Sequence, residues 1–184
     1  MRATTLVVTP TPVLARVRLG ADAGDVVARL AVGAEPIPVV GSEKKKKTLM
    51  ERFPSIAPNE IVVRPKKGKK FGAAVRAACA AVCVRKNEPD LETNASCDIV
   101  MDATMGDYFQ GGWDNLNTAG GRYVVYGAAD LTPAGDLSAF DVLGWAKLLW
   151  KYLRRPFVDP TNLPGSNRSV MGFNLIWMFH KVVA

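Results

Sequence analysis

The sequence has few of the residues that metal sites and acid–base catalysis most often use. Its 184 residues include a single histidine, His180, three cysteines and no Cys-x-x-Cys pair. A structural zinc site needs four closely placed Cys or His ligands, so we predict no zinc. No Gly-x-Ser-x-Gly turn is present, and a catalytic triad would have to use that one distant histidine. These absences argue against zinc enzymes and serine hydrolases.

Long apolar runs are also missing. No run approaches the ~20 residues needed to span a bilayer, and residues 1–5 lead into only a brief apolar stretch, so we predict no secretory signal. An odd number of cysteines without such a signal predicts reduced thiols and a cytoplasmic location. We interpret Cys79 and Cys83, one helical turn apart, as small apolar core residues.

The net charge of +7 is concentrated in one segment. Residues 43–70 contain ten Lys or Arg and three Asp or Glu, whereas the rest of the chain is neutral. Such a basic patch could attract cofactor phosphates, nucleic acid or an anionic membrane. Phe53 is the only aromatic residue in this segment, so platforms for stacking bases are not evident and we expect no nucleic-acid partner.

Strand and helix patterns alternate along the chain. Strand patterns lie at 13–19, 37–40, 60–63, 97–102, 122–127 and 169–174, and helical patterns at 25–31, 43–53, 71–84, 108–116 and 138–153. With 48% hydrophobic residues, this alternation predicts an α/β fold, a doubly wound, mostly parallel, Rossmann-like sheet with helices on both faces. Residues 1–24 stay an N-terminal segment of unassigned role, and 25–184 form a partial dinucleotide-binding domain.

Each helical pattern has one apolar side that we expect to face the core. That side contains Val75, Ala78, Cys79, Val82 and Cys83 in the third helix, Leu49, Met50 and Phe53 in the second, and Val142, Trp145, Leu149 and Leu153 in the last. We expect the last helix to cover the sheet, because its basic C-terminal end suits the helix dipole. The alternative is an interfacial helix on a membrane surface, since aromatic and basic residues alternate along it.

The carboxyl ends of the predicted parallel strands are the expected ligand site. The strand at 37–40 ends at Gly41 and Ser42 and leads into a helix with four lysines near its start, which the positive end of the helix dipole disfavours. A bound anion would offset this, and in a dinucleotide-binding fold the adenosine ribose and its 2′-phosphate lie here. The alternative is a solvated charged helix face. Asp102, at another strand end, either shapes the cofactor cleft or caps a helix.

Several motifs, in order, resemble the cofactor domain of the medium-chain dehydrogenase/reductase superfamily. They are VGSEK at 40–44, CDIVMD at 97–102 and GGRYVVYG at 120–127. RPFVDP at 155–160 and NRSVMGFNL at 167–175 resemble its zinc-less quinone oxidoreductase branch, the proteins similar to the synaptic vesicle amine transport protein. The resemblance covers roughly residues 25–180.

The resemblance implies an oxidoreductase that passes hydride from NADPH to a quinone or an activated alkene. It implies cofactor contacts from residues at the strand ends: Gly24, Ser42, Lys46, Asp102, Gly127, Ala128, Phe173, Asn174 and Leu175. Ser42 and Lys46 would meet the 2′-phosphate, and 173–175 would border the nicotinamide. It also implies a homodimer paired through the last strand.

The sequence departs from that family in two ways. The stretch matching its glycine-rich phosphate loop is 20–24, where only Gly24 fits, and Asp22 and Asp25 bring negative charge to a pyrophosphate site. The family also has a separate barrel-like substrate domain, and this chain is too short to contain it. We identify no catalytic acid or base. We therefore expect the cofactor-binding part of such an enzyme, or a truncated, non-catalytic remnant or interaction protein that binds cofactor weakly.

Overall fold

The computed structural model describes residues 6–8, 35–87, 96–129, 131, 141–172 and 174. The strands are β1 Leu6–Val8, β2 Pro36–Val40, β3 Val62–Val63, β4 Ile99–Asp102, β5 Arg122–Val125 and β6 Ser169–Gly172. The helices are α1 Glu43–Arg52, α2 Phe71–Arg85, α3 Phe109–Asp114, α4 Val142–Leu153 and α5 Leu163–Ser166. The predicted mixture of helices with parallel strand pairs is confirmed. The predicted strand at 13–19, loop at 20–24 and helix at 25–31 lie outside the described residues.

The strand order is β3-β2-β1-β4-β5-β6. The pairs β2–β3, β4–β5 and β5–β6 are parallel, whereas β1 is antiparallel to both β2 and β4. Five strands therefore run in one direction and β1 runs against them. The carboxyl ends of those five strands lie together at one side of the sheet, which we call the carboxyl edge.

The central strand β1 comes from the segment that the sequence left unassigned. Leu6 pairs with both Pro38 and Met101, and Val8 pairs with both Pro36 and Ile99. A three-residue run shows too little periodicity to be recognised as a strand, but pairing on both sides supplies its hydrogen bonds. Because β1 is antiparallel, its carboxyl end lies opposite the carboxyl edge.

Two apolar clusters pack on opposite faces of β2. Ile37 and Val39 belong to the larger cluster, which includes α2, α3 and Tyr123, whereas Val40 packs with α1. Successive strand side chains point to opposite faces, so β2 has helices on both sides. The predicted inward residues of α1 are confirmed, since Phe53 is buried and Leu49 and Met50 pack against its cluster.

Helix α2 is the main helix of the larger cluster. Alanine makes it a strong helix former, and every residue predicted to point inward is buried. It crosses α3 at Gly72 and Gly111, where a Cβ on Gly111 would lie 2.7 Å from the Gly72 nitrogen. Each Å² of apolar surface that the two helices bury stabilises the fold by about 25 cal/mol. The glycines therefore set how closely the two helices pack.

An ion-pair network holds the C-terminal end of α2. The Arg85 guanidinium donates to Glu60, which is 1% exposed, and lies 2.7 Å from a Glu35 oxygen. The Lys86 ammonium lies 2.9 Å from the other Glu35 oxygen. The last turn of α2 is thereby tied to the residue that precedes β2.

The prediction that the last helix covers the sheet is wrong. None of the residues of α4 is buried, and Val142, Leu149 and Leu153 are 75%, 58% and 66% exposed. The helical pattern identified the apolar face correctly, but the pattern alone does not determine whether that face packs against the sheet. Its start is capped by the Asp141 carboxylate, which accepts a hydrogen bond from the Gly144 amide at 2.8 Å. Across the described residues, no helix combines the length and hydropathy needed to cross a bilayer.

Candidate functional site

The carboxyl edge collects the residues that follow five strands. Gly41, Arg64, Ala103, Tyr126 and Asn174 all lie at or near this edge, since they follow strands that run in the same direction. Neighbouring strands are about 4.8 Å apart, so residues from β4 and β5 can contact the same ligand. The structure thus brings most of the predicted site segments to one side of the sheet.

At the end of β2, Ser42 acts as the N-cap of α1. Its hydroxyl accepts a hydrogen bond from the Lys45 amide at 3.4 Å, and the side chain is exposed. The Lys46 ammonium donates to the carbonyl oxygen of Ile61 at 3.3 Å. Both predicted phosphate contacts are therefore near the carboxyl edge, but Lys46 is turned toward the backbone before β3.

Arg64 is a site residue that the sequence analysis missed. Its Nη2 atom lies 3.8 Å from the position that a Cβ on Gly41 would take, and its amide donates to the Val40 carbonyl at 2.8 Å. The guanidinium stacks over the Tyr108 ring at 5.0 Å, and the Tyr108 hydroxyl donates to the Pro65 carbonyl at 3.0 Å. A fixed cation with several donors therefore lies beside the open backbone of Gly41. Arg64 could have been found from the sequence by its position directly after a predicted strand, where ligand-binding residues are expected.

The buried Asp102 carboxylate organises the turn after β4. One oxygen accepts hydrogen bonds from the Thr104 amide, the Thr104 hydroxyl and the Met105 amide at 2.7–2.9 Å. The other oxygen accepts from the Tyr123 hydroxyl at 2.8 Å. Burial, and then the nearby Asp102 charge, raise the pKa of Tyr123 well above its ordinary value. Asp102 is thus engaged within the chain as the cap of its own turn, and the 3₁₀ helix that follows at Gly106–Tyr108 has no side-chain cap.

The turn that Asp102 caps contains unusual backbone. Met105 has φ 54°, a conformation that costs a non-glycine residue on the order of 1–3 kcal/mol, and Gly106 follows with φ 64°. A Cβ on Gly68 would clash with the Asp107 carbonyl. The Asp102 hydrogen bonds and this close contact together hold the strained turn at the carboxyl edge.

Gly127 is small for a packing reason. A Cβ at this position would lie 2.8 Å from the Ala103 carbonyl oxygen, and the Ala129 amide donates to that oxygen at 3.0 Å. The turns after β4 and β5 are therefore in backbone contact. Ala128 lies in the same turn and is partly exposed, and Asn174 is exposed. The predicted contacts Gly24, Phe173 and Leu175 lie outside the described residues.

The three cysteines belong to the core, as predicted for Cys79 and Cys83. The Cys79 and Cys97 sulfurs are 3.3 Å apart, and burial raises the pKa of Cys97 well above its usual value. Within the described part of the chain, no group of three or more His, Cys, Asp or Glu side chains could hold a metal ion.

Neither the protein-family models nor the curated proteins compared with this chain give a match. The geometry itself offers a cation beside an open glycine at one end of the carboxyl edge, and buried, internally satisfied polar groups in its middle. Such an edge can bind an anionic group, but its described side chains include no paired acid and base for proton transfer.

Proposed function

We propose that this chain binds NADPH along the carboxyl edge, as the cofactor-binding part of an oxidoreductase that reduces quinones or activated alkenes. The observation that carries the proposal is the Arg64 guanidinium beside Gly41, because a 2′-phosphate needs a cation after the second strand. The strand order β3-β2-β1-β4-β5-β6 is that of dinucleotide-binding sheets, with β1 reversed in direction. Helices on both faces of β2 support a doubly wound, Rossmann-like arrangement.

The described residues fit the phosphate end of such a cofactor. Gly41 has no side chain to obstruct an approaching phosphate, Arg64 can donate two parallel hydrogen bonds, and the Ser42 hydroxyl is exposed. Lys46 would have to leave the Ile61 carbonyl to join them. The nicotinamide end would rest on Ala128 and on the segment around Asn174.

NADPH supplies the hydride when it is bound, and the protein's part is to position and shield it. In this proposal the Asp102 carboxylate acts indirectly, by fixing the turn of residues 103–105 against which the cofactor would lie. The three buried cysteines form no disulfide, which favours a cytoplasmic location. A homodimer paired through β6 also belongs to the proposal.

The orientation of β1 favours a second candidate, a non-catalytic protein that binds cofactor weakly. In a dinucleotide-binding fold the phosphate loop follows directly from the central strand at the carboxyl edge. Here β1 ends at the opposite side of the sheet. Asp22 and Asp25 would add repulsion toward a pyrophosphate.

Titration with NADPH and NADH, followed by cofactor fluorescence, tests the proposal. We expect saturable binding with a preference for NADPH, and Arg64→Glu should weaken NADPH binding by about 10–100-fold while changing NADH binding little, since a hydrogen bond to a charged group contributes about 1.5–3 kcal/mol. Arg122→Glu is the control, because Arg122 is exposed at the start of β5, at the other side of the sheet.

The outcomes separate the two candidates. If neither cofactor binds, the NADPH proposal fails. If NADPH binds with the expected Arg64 dependence but is not consumed with a quinone or enone, the cofactor site stands and the chain alone is non-catalytic. Equal loss in Arg64→Glu and Arg122→Glu would show only a general effect of charge and would remove Arg64 from the site.

A further inference from the structure

Tyr108 links the turn after β4 to Arg64 in the loop after β3. Its half-buried ring packs edge-on against Phe71, with the two ring centres 5.4 Å apart. The Arg64 guanidinium lies over the ring face, 5.0 Å from its centre, and the Tyr108 hydroxyl donates to the Pro65 carbonyl at 3.0 Å. One aromatic side chain therefore contacts both Arg64 and the residue that follows it.

The backbone that precedes Tyr108 holds the ring in place. Met105 has φ 54°, and its amide donates to the Asp102 carboxylate at 2.9 Å, so the strained turn before Tyr108 is tied to β4. In the loop after β3, a Cβ on Gly68 would lie 2.8 Å from the Asp107 carbonyl carbon. The two loops are therefore in direct contact, and Tyr108 lies where they meet.

Within the described part of the chain, the Arg64 guanidinium forms no ion pair and no hydrogen bond. The ion pairs there use only Arg85 and Lys86 as cations, and exposed Asp107, next to Tyr108, does not pair with Arg64. The Tyr108 ring is therefore what restrains this cation. A flexible arginine loses conformational entropy when a ligand orders it, and the loss is smaller when a ring already holds the side chain.

We propose that Tyr108 is the positioning residue for Arg64 and thereby sets the preference for a phosphate monoester beside Gly41. This role rests on the proposed NADPH site, and it assigns the preference over NADH to an aromatic ring. Because the Tyr108 hydroxyl is engaged with Pro65, the ring acts through Arg64: it keeps the guanidinium beside the open backbone of Gly41 before the ligand arrives. NADH carries a hydroxyl in place of the 2′-phosphate and gains little from this arrangement.

Titrations of Tyr108→Leu and Tyr108→Phe with NADPH and NADH test this role. We expect Tyr108→Leu to weaken NADPH binding by about threefold to tenfold, the range of a partly buried cation–π contact, and to change NADH binding by less than about twofold. Tyr108→Phe retains the ring and should keep the preference of the unmodified protein to within about twofold. If Tyr108→Leu does not fold, Tyr108→Met fills similar space without a ring face and takes its place.

Trp113→Leu is the matched structural control. Trp113 is also partly buried against the larger apolar cluster, and the Arg168 guanidinium lies over its ring at 5.5 Å. Arg168 directly precedes β6, at the side of the sheet opposite the carboxyl edge. Both leucine variants should lower the midpoint of thermal unfolding, and only Tyr108→Leu should lower the preference for NADPH. The double variant Arg64→Gln/Tyr108→Leu should bind NADPH within about twofold of Arg64→Gln, because the ring then has no guanidinium to position.

The positioning role would be overturned by equal loss of NADPH and NADH affinity in Tyr108→Leu, by a loss as large in Tyr108→Phe or Trp113→Leu, or by an undiminished loss in the Arg64→Gln background. If neither cofactor binds the unmodified protein, the NADPH proposal fails, and adenosine 2′-phosphate and adenosine, followed by saturation-transfer NMR, become the probes. A preference for adenosine 2′-phosphate that Tyr108→Leu loses would then support the role of the ring, and absence of that preference would overturn it as well.

Discussion

Helices α2 and α4 each carry apolar residues at helical spacing, but these residues have opposite surroundings. In α2 the apolar residues Val75, Ala78 and Val82 are at most 1% exposed, packed between the sheet and α3. In α4, Val142 is 75% exposed. Apolar spacing along a helix therefore predicts that one face is apolar. Whether the folded chain buries that face depends on contacts with other elements.

Features outside the stripe distinguish the two helices. Helix α2 has a glycine contact with α3 and a C-terminal arginine that pairs with Glu60 and Glu35. The C-terminal arginines of α4 instead stack on aromatic rings of their own helix. Contacts to other parts of the described chain fix α2, whereas the ring contacts of Arg154 and Arg155 stay within α4 and the turn that follows it.

The largest expected effect comes from making the same valine-to-alanine substitution in both helices. Val75→Ala should lower the free energy of unfolding by about 2–3 kcal/mol, since it removes two buried methyl groups and leaves a cavity. Val142→Ala should change it by less than about 0.5 kcal/mol, because the side chain is exposed. Urea denaturation of both variants measures the difference, and equal losses would mean that α4 is covered within the folded chain.

The glycine contact gives an intermediate effect. Gly111→Ala should destabilise the protein by about 1–3 kcal/mol, since its Cβ would meet backbone atoms of α2 that cannot move away. Gly165→Ala in α5 is the control: nothing lies within 4 Å of that Cβ, and alanine should be neutral or stabilise by up to about 1 kcal/mol. Thermal unfolding of the two variants would contradict the packing argument if both shifted alike.

Disrupting the ion pairs at the end of α2 should give the smallest change in the free energy of unfolding, and this change should depend on pH. Burial opposes ionisation of Glu35, but hydrogen bonds from Lys86 and Arg85 outweigh it and hold the pKa of Glu35 below its usual 4.5. A lowered folded-state pKa means stability that is present above pH 4.5 and lost as pH falls through the folded value.

Glu35→Gln should therefore cost about 0.5–1 kcal/mol at pH 7 and flatten the fall in stability between about pH 5 and pH 3. Denaturant unfolding at several pH values measures this slope. Glu51→Gln, which removes an exposed carboxylate from α1, is the charge-matched control. An unchanged slope in Glu35→Gln would show that the Glu35 carboxylate does not contribute to stability.

Local pattern was sufficient for much of the fold. Alanine content and apolar spacing placed α2, and the strand patterns at 37–40, 97–102 and 122–127 placed β2, β4 and β5. The central strand β1 could not be found in this way, because its pairing with β2 and β4 depends on distant parts of the chain. The exposure of α4 was missed for the same reason.

The site was predicted at the level of segments more than of side chains. Strand ends located Ser42, Asp102 and Gly127 at the carboxyl edge, since that follows from strand direction alone. That the Asp102 carboxylate is engaged by its own turn, and that Gly127 is needed for contact with Ala103, depends on three-dimensional packing. Arg64 is a candidate site residue only because the fold places its guanidinium beside Gly41.

The antiparallel β1 also has a consequence for the order in which this protein folds. Within the described sheet, β1 is the strand that joins the β2–β3 pair to the β4–β5–β6 group. Leu6 cannot complete its pairing until both Pro38 and Met101 have been synthesised, so the earliest of the described strands is fully paired only after β4 has been made. Closing so long a loop slows folding, and until it closes the edges of β2 and β4 stay open to pairing with other chains.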